Sequence, residues 1–98
     1  MVEQRRGRRF ELKLPVELLR TGVNRVSKSG QTRNLSSSGV LIDTEARVTI
    51  GEPIEYLITL PVGRSGGEPV RLRCMGKVVR QQGLSSAATL ERYEFLRG

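Results

Sequence analysis

Hydrophobic and polar residues alternate along much of this 98-residue chain. Residues 10–18 are apolar at every even position and charged, polar or proline at most odd ones, which is the pattern of a half-buried strand. Pro15 lacks an N–H group, so this strand must lie at a sheet edge or be bulged at that point. Residues 21–30 are rich in turn formers and predict a hairpin loop, followed by a short return strand over residues 31–35.

Four further segments carry strand signals. Residues 39–43 form a compact apolar run, residues 54–60 and 70–78 alternate, and residues 87–96 alternate less regularly and predict a last strand. Between them, residues 61–69 contain three glycines and two prolines and predict a mobile surface loop. Short strand signals without a long helical pattern predict an all-β fold, as a small antiparallel barrel or sandwich.

The composition adds a positive charge that is concentrated at the start of the chain. The net charge is +7, with 14 Arg and 3 Lys against 10 acidic residues. Residues 1–9 carry four Arg and one Glu, a net +3, which leaves +4 for the other 89 residues. A focused positive patch attracts nucleic acid, a nucleotide or an acidic membrane surface.

Few residues are suited to catalysis or metal binding. Histidine is absent and Cys74 is the single cysteine, which excludes ordinary zinc sites, Ser-His-Asp or Cys-His nucleophiles and an intramolecular disulfide. We therefore expect neither enzymatic activity nor a metal or cofactor. Because the chain has no apolar run of about 18 residues and no secretory signal, the expectation is a cytoplasmic protein without a membrane span.

Two short clusters carry the candidate chemistry: RRGRR at positions 5–9 and NLSSSG at positions 34–39. Guanidinium groups grip phosphates and the edge of guanine, and their flat faces stack on bases. The second cluster offers compact donors and acceptors and ends in glycine, whose backbone can approach a ligand closely. Either cluster alone is typical of a solvated tail or an ordinary turn, but together they indicate a site for a phosphate-bearing, guanine-like ligand.

As a pair, the clusters resemble the two signatures of the PilZ domain, RxxxR before the first barrel strand and (D/N)xSxxG in a later turn. Arg5 and Arg9 match the ends of the first motif, and Asn34, Ser36 and Gly39 match the second in full. The segment FELKLPV after the arginines and the length of the chain also resemble a lone PilZ domain.

This resemblance implies a six-stranded antiparallel split barrel over residues 10–98, with little or no C-terminal helix, and a flexible Arg-rich arm over residues 1–9. It also implies a receptor or adaptor that binds the bacterial second messenger cyclic di-GMP on the outside of the barrel and changes conformation to regulate a protein partner. The implied ligand-binding residues are Arg5, Arg6, Arg9, Asn34, Ser36 and Gly39, with Arg8 and Ser38 as secondary candidates.

Two other functions stay open. A small basic barrel could bind RNA or single-stranded DNA, although the chain has only two Tyr, two Phe and no Trp for stacking on bases. A PilZ-like barrel could also work through protein contacts without a nucleotide. We interpret Tyr93 and Phe95 as core or rim residues. The basic residues of the strands that we interpret as solvent-facing are Arg33, Arg71, Arg73 and Lys77.

Overall fold

The computed structural model of the protein describes residues 13–60 and 70–97. In these two ranges the chain forms seven β-strands and no helix, which confirms the predicted all-β fold. The predicted arm at residues 1–9, the start of the predicted first strand and the predicted loop at 61–69 lie outside the described residues. The strands are β1 (Pro15–Thr21), β2 (Asn24–Leu35), β3 (Gly39–Thr44), β4 (Pro53–Leu60), β5 (Val70–Gln82), β6 (Ser85–Thr89) and β7 (Arg92–Arg97).

Six of these strands close into an antiparallel barrel. Their order is β4-β1-β2-β3-β6-β5, and pairing between β4 and β5 completes the ring. The seventh strand, β7, pairs with the first half of β5, whereas β6 pairs with the second half. The predicted six-stranded barrel is therefore confirmed, with one extra strand beside it. Pro15 pairs with β2 alone, since the ladder between β1 and β4 begins at Val16, as expected for a residue without an N–H.

The first hairpin is tighter than predicted. Thr21 pairs with Asn24, so only Gly22 and Val23 form the turn, and residues 24–30 belong to β2. Gly22 has a φ of 62°, the conformation that a two-residue hairpin turn favours. The predicted hairpin is confirmed, but its return strand begins at Asn24 instead of residue 31. The sequence did not show this because the first half of β2 is mostly exposed and has no buried face marked by apolar residues.

The predicted last strand at residues 87–96 is interrupted. Leu90 and Glu91 lie between β6 and β7. The Leu90 N–H donates to the Ser38 carbonyl at 2.9 Å, in the register of the ladder with β3, and the Glu91 N–H donates to the Met75 carbonyl of β5 at 2.9 Å. Opposite the gap, the Thr89 hydroxyl accepts a hydrogen bond from the Lys77 N–H at 2.9 Å, in place of a ladder carbonyl. The chain therefore contributes β6 to the barrel and β7 to the extension.

Inward-facing residues of the strands fill the barrel. Tyr56 is fully buried, and its hydroxyl donates to the Thr89 carbonyl at 3.0 Å, at the end of β6. Burial raises the pKa of the Tyr56 phenol well above its ordinary value. The buried apolar residues are Leu14, Val16, Leu18, Val40, Ile42, Ala46, Ile54, Tyr56, Ile58, Leu72, Cys74, Val78 and Ala88.

Cys74 should resist alkylation by iodoacetamide at pH 8 in the folded protein. Its side chain is fully buried, and burial raises the pKa of the thiol to about 12, whereas the thiolate is the reactive form. Because the folded pKa is the higher one, the stability contributed by the neutral thiol is present below the unfolded value and is lost as the pH rises toward 12. Mass spectrometry with and without urea measures the labelling; rapid modification without urea would contradict the prediction.

Candidate ligand-binding groove

A β-bulge in β2 determines which way Asn34 points. The ladder to β3 pairs Thr32 with Ile42 and then Asn34 with Leu41, so Arg33 is the extra residue. Thr32 and Ile42 are buried in the barrel, and the strand period of two would turn residue 34 inward as well. The bulge instead places Asn34 beside Leu41, on the outer face of the sheet.

A second bulge, in β5, does the same for Arg80. Val78 pairs with Ala88 inside the barrel, and the next pair joins Arg80 to Ala87, with Val79 as the extra residue. Ala87 also pairs with Leu41 of β3. One row on the outer face therefore runs across four neighbouring strands, in the order Asn34, Leu41, Ala87 and Arg80.

The serine loop between β2 and β3 is held by its own hydrogen bonds. The Ser36 N–H donates to the Gly39 carbonyl at 2.9 Å, and the Ser36 hydroxyl donates to the same carbonyl at 3.3 Å. The Ser38 N–H donates to the Ser36 hydroxyl at 3.3 Å, a local turn that serine favours. The Leu90 N–H ties the Ser38 carbonyl to the end of β6, so the loop is fixed to the barrel.

Gly39 is needed for a close backbone approach between β3 and β6. It pairs with Thr89, and a Cβ atom at this position would lie 2.9 Å from the Ala88 carbonyl oxygen. That distance is shorter than a normal van der Waals contact, so any side chain here would push the two strands apart.

These elements enclose a groove of about 480 Å³, within the size range of small-molecule sites. Asn34 and the serine loop form one wall, Leu41 and Ala87 form part of the floor, and Arg80 lies on the opposite side. Arg80 is the only charged residue in the lining that the structure describes. The lining residues are Asn34, Leu35, Ser36, Ser38, Gly39, Val40, Leu41, Val79, Arg80, Ala87, Ala88 and Thr89.

The family model of the PilZ domain matches residues 3–97, which is nearly the whole chain. The chain belongs to the PilZ family. No protein with curated annotation matches it. PilZ domains are binding modules rather than catalysts, and membership of this family implies a role as an adaptor that binds cyclic di-GMP.

The structure brings the second PilZ motif together in one groove. Asn34, Ser36, Ser38 and Gly39 all line it, and the Asn34 side chain forms no hydrogen bond within the described residues. The residues predicted from the first motif lie outside the part of the chain that the structure describes, so their role stays a prediction. They are Arg5, Arg6, Arg8 and Arg9.

Arg80 of this PilZ domain was missed by the sequence analysis. A signal for it was present, since the inward series Cys74, Gly76 and Val78 continues by period two to an arginine. A charged residue at an inward position is costly unless the strand is bulged. The predicted strand ended at residue 78, so the prediction did not include this conflict at residue 80.

Two other arginines on the barrel are held by carboxylates. The Arg33 guanidinium contacts the Asp43 carboxylate, with Nη2 at 2.9 Å from Oδ2, which holds it apart from the groove lining. Arg73 bridges Glu55 and Glu94, and the hydrogen bond to Glu55 is the main cause of its raised pKa. Their charges are therefore locally balanced.

The extra strand β7 exposes an aromatic pair. Tyr93 is 59% and Phe95 63% exposed, and their rings meet edge to face with centroids 5.8 Å apart. Of the two positions in the core-or-rim interpretation, the core is excluded by this exposure, because β7 pairs with β5 beside the closed barrel. Across the described ranges no cluster of His, Cys, Asp and Glu is arranged to hold a metal ion, and none of the elements is a helix able to cross a membrane.

Replacement of Gly39 by alanine should lower the free energy of unfolding by about 1–3 kcal/mol, since the added methyl group meets the Ala88 carbonyl. Urea denaturation measures the change. Ser37→Ala is the matched control, because Ser37 is exposed at the loop tip and makes no hydrogen bond within the described residues. Equal stability of Gly39→Ala and the control would contradict a packing role for this glycine.

Proposed function

We propose that this PilZ domain binds cyclic di-GMP in the groove beside the serine loop and that binding regulates a protein partner. The observation that carries the proposal is the convergence of the complete second motif on a groove in which Arg80, a cation, is the one charged residue of the described lining. Such a groove suits a ligand that carries negative charge and many hydrogen-bond acceptors.

Each residue of the polar wall has a distinct chemistry for this ligand. The Asn34 amide offers both a donor and an acceptor, as the edge of guanine requires. The Ser36 hydroxyl is engaged within the loop, so its main part is to shape the wall, whereas Ser38 also offers an exposed hydroxyl. Gly39 keeps the wall low, which lets a ring lie against the sheet.

The N-terminal arginines supply the part of the binding free energy that Asn34 and the serine loop cannot supply. A charge-assisted hydrogen bond contributes about 1.5–3 kcal/mol net, while micromolar affinity needs about 8 kcal/mol. Two phosphates alone would barely reach that value after the cost of ordering side chains. Stacking of guanidinium groups on guanine adds about 0.5–2 kcal/mol per contact, which lysine would not match as well. We assign these phosphate and stacking contacts to Arg5, Arg6 and Arg9, which together clamp the ligand, and a smaller contribution to Arg8.

Titration calorimetry with cyclic di-GMP tests the binding. We expect saturable binding, with affinity at least tenfold weaker for Arg5→Ala and for Arg9→Ala, since each loses a charge-assisted contact. Asn34→Ala should weaken binding less, because its amide is neutral. Arg71→Ala, an exposed arginine of β5 outside the groove, is the control and should bind as the unchanged protein does.

A folded protein that shows no saturable heat at high micromolar nucleotide would refute the proposal. Binding of single-stranded RNA that grows with strand length and falls steeply with salt would point to the nucleic-acid alternative instead. The same titrations in 50 mM and 300 mM salt separate the two, because a compact ligand with two charges is much less salt-sensitive than a long strand.

Regulation requires that the ligand change the surface seen by a partner. We propose that the segment at residues 5–9 closes over the bound nucleotide, so cyclic di-GMP should slow trypsin cleavage after its arginines severalfold. Mass spectrometry of the early fragments measures the rate. Cleavage elsewhere in the chain serves as the control, and equal protection at every site, or none at residues 5–9 under saturating ligand, would count against closure.

A further inference from the structure

We infer that Arg80 is a ligand-binding residue that holds the nucleotide from the side of the groove opposite Asn34. The inference rests on the proposed function and adds to it a contact that lies in neither PilZ motif. Arg80 would donate two parallel hydrogen bonds from its guanidinium to an acceptor pair on the ligand, either two phosphate oxygens or O6 and N7 of guanine.

The first argument is the bulge itself. In a regular strand without the bulge, residue 80 would continue the inward series of residues 74, 76 and 78, and Arg80 would carry its charge into an apolar barrel at a prohibitive cost. The bulge turns the side chain outward into the same row as Asn34, which a bulge in β2 turns outward in the same way. Bulges commonly occur where a strand directs a side chain to a functional site.

The second argument is the missing counter-ion. Arg33 and Arg73 each lie against a carboxylate, but no carboxylate within the described ranges forms an ion pair with Arg80. The described lining of the groove contains no acidic residue. A cation that faces a groove and has no counter-ion attracts an anion into that groove.

The third argument is the distance across the groove. Asn34 and Arg80 are separated by three strand spacings, about 14 Å along the sheet at about 4.8 Å each. Between them lie Leu41 and the small Ala87, which leave a low apolar floor. A ligand that meets both ends must be elongated, flat enough to lie on that floor, and rich in acceptors at both ends. A cyclic dinucleotide has two bases and two phosphates and meets these requirements.

The test compares Arg80→Ala, Arg80→Lys and the control Arg71→Ala by titration calorimetry with cyclic di-GMP. Arg71 is a matched control because it is exposed on the same strand, lies outside the groove and has no ion pair among the described residues. We expect Arg80→Ala to bind about tenfold more weakly, Arg80→Lys to recover part of the loss, and Arg71→Ala to bind normally. A smaller salt dependence in Arg80→Ala assigns the contact to phosphate, and an unchanged one assigns it to guanine.

A second measurement needs no variant. In the unchanged protein the Arg80 Nε–H resonance should shift on saturation with cyclic di-GMP, while that of Arg71 should not. Affinity of Arg80→Ala within twofold of the unchanged protein, together with an unmoved Arg80 resonance, would overturn the role of Arg80 and leave the proposed function intact. Failure of the unchanged protein to bind cyclic di-GMP would overturn both.

Discussion

Closure of the barrel is the constraint on which the other features depend. β4 and β5 pair without a register shift from Pro53 opposite Lys77 to Leu60 opposite Val70, and this joins the two ends of the six-stranded sheet. In a closed sheet alternate residues must face inward, and the interior accepts only apolar or hydrogen-bonded groups. Polar and charged binding residues therefore have to lie at outward positions. The bulges in β2 and β5 shift the alternation, so that Asn34 and Arg80 also face outward.

The interruption between β6 and β7 links the groove to the core. At this point the Thr89 carbonyl accepts from the buried Tyr56 hydroxyl, and the Thr89 hydroxyl accepts from the Lys77 N–H. The next residue, Leu90, donates to the Ser38 carbonyl of the serine loop. Backbone groups released from one ladder are thus satisfied elsewhere, as buried polar groups must be. The serine loop is consequently connected to the buried Tyr56 by two hydrogen bonds, from Leu90 to Ser38 and from Tyr56 to Thr89.

Strands with one buried face could be predicted from the sequence, and strands without a buried face could not. The strand around Tyr56 alternates clearly and the strand around Val40 is a compact apolar run, because their inward residues are mostly apolar, and the structure has both where the sequence predicted. The first half of β2 is exposed, so its polar residues resemble a loop although they pair along their length. Period-two alternation shows only that Arg80 falls at an inward position, where a charge is costly. That a bulge turns it outward beside Ala87 depends on the register of the partner strand, which the sequence does not show. The candidate wall at residues 34–39 was found through a motif, whereas its neighbour on β5 required the topology.

The rigidity of the wall bears on how binding could be turned into a signal. Asn34 and Ser38 lie on a hairpin held by the Ser36 and Leu90 hydrogen bonds, and Gly39 is packed against the Ala88 backbone. A wall fixed in this way loses little conformational entropy on binding, which favours affinity. For the same reason it offers little change that a partner could detect, because a ligand shifts an equilibrium only by its different affinity for two states. Any regulatory change must therefore come from chain that approaches the ligand from outside the wall. In the proposed function that part falls to Arg5, Arg6 and Arg9, whereas the contact inferred for Arg80 would come from β5, a strand of the barrel itself.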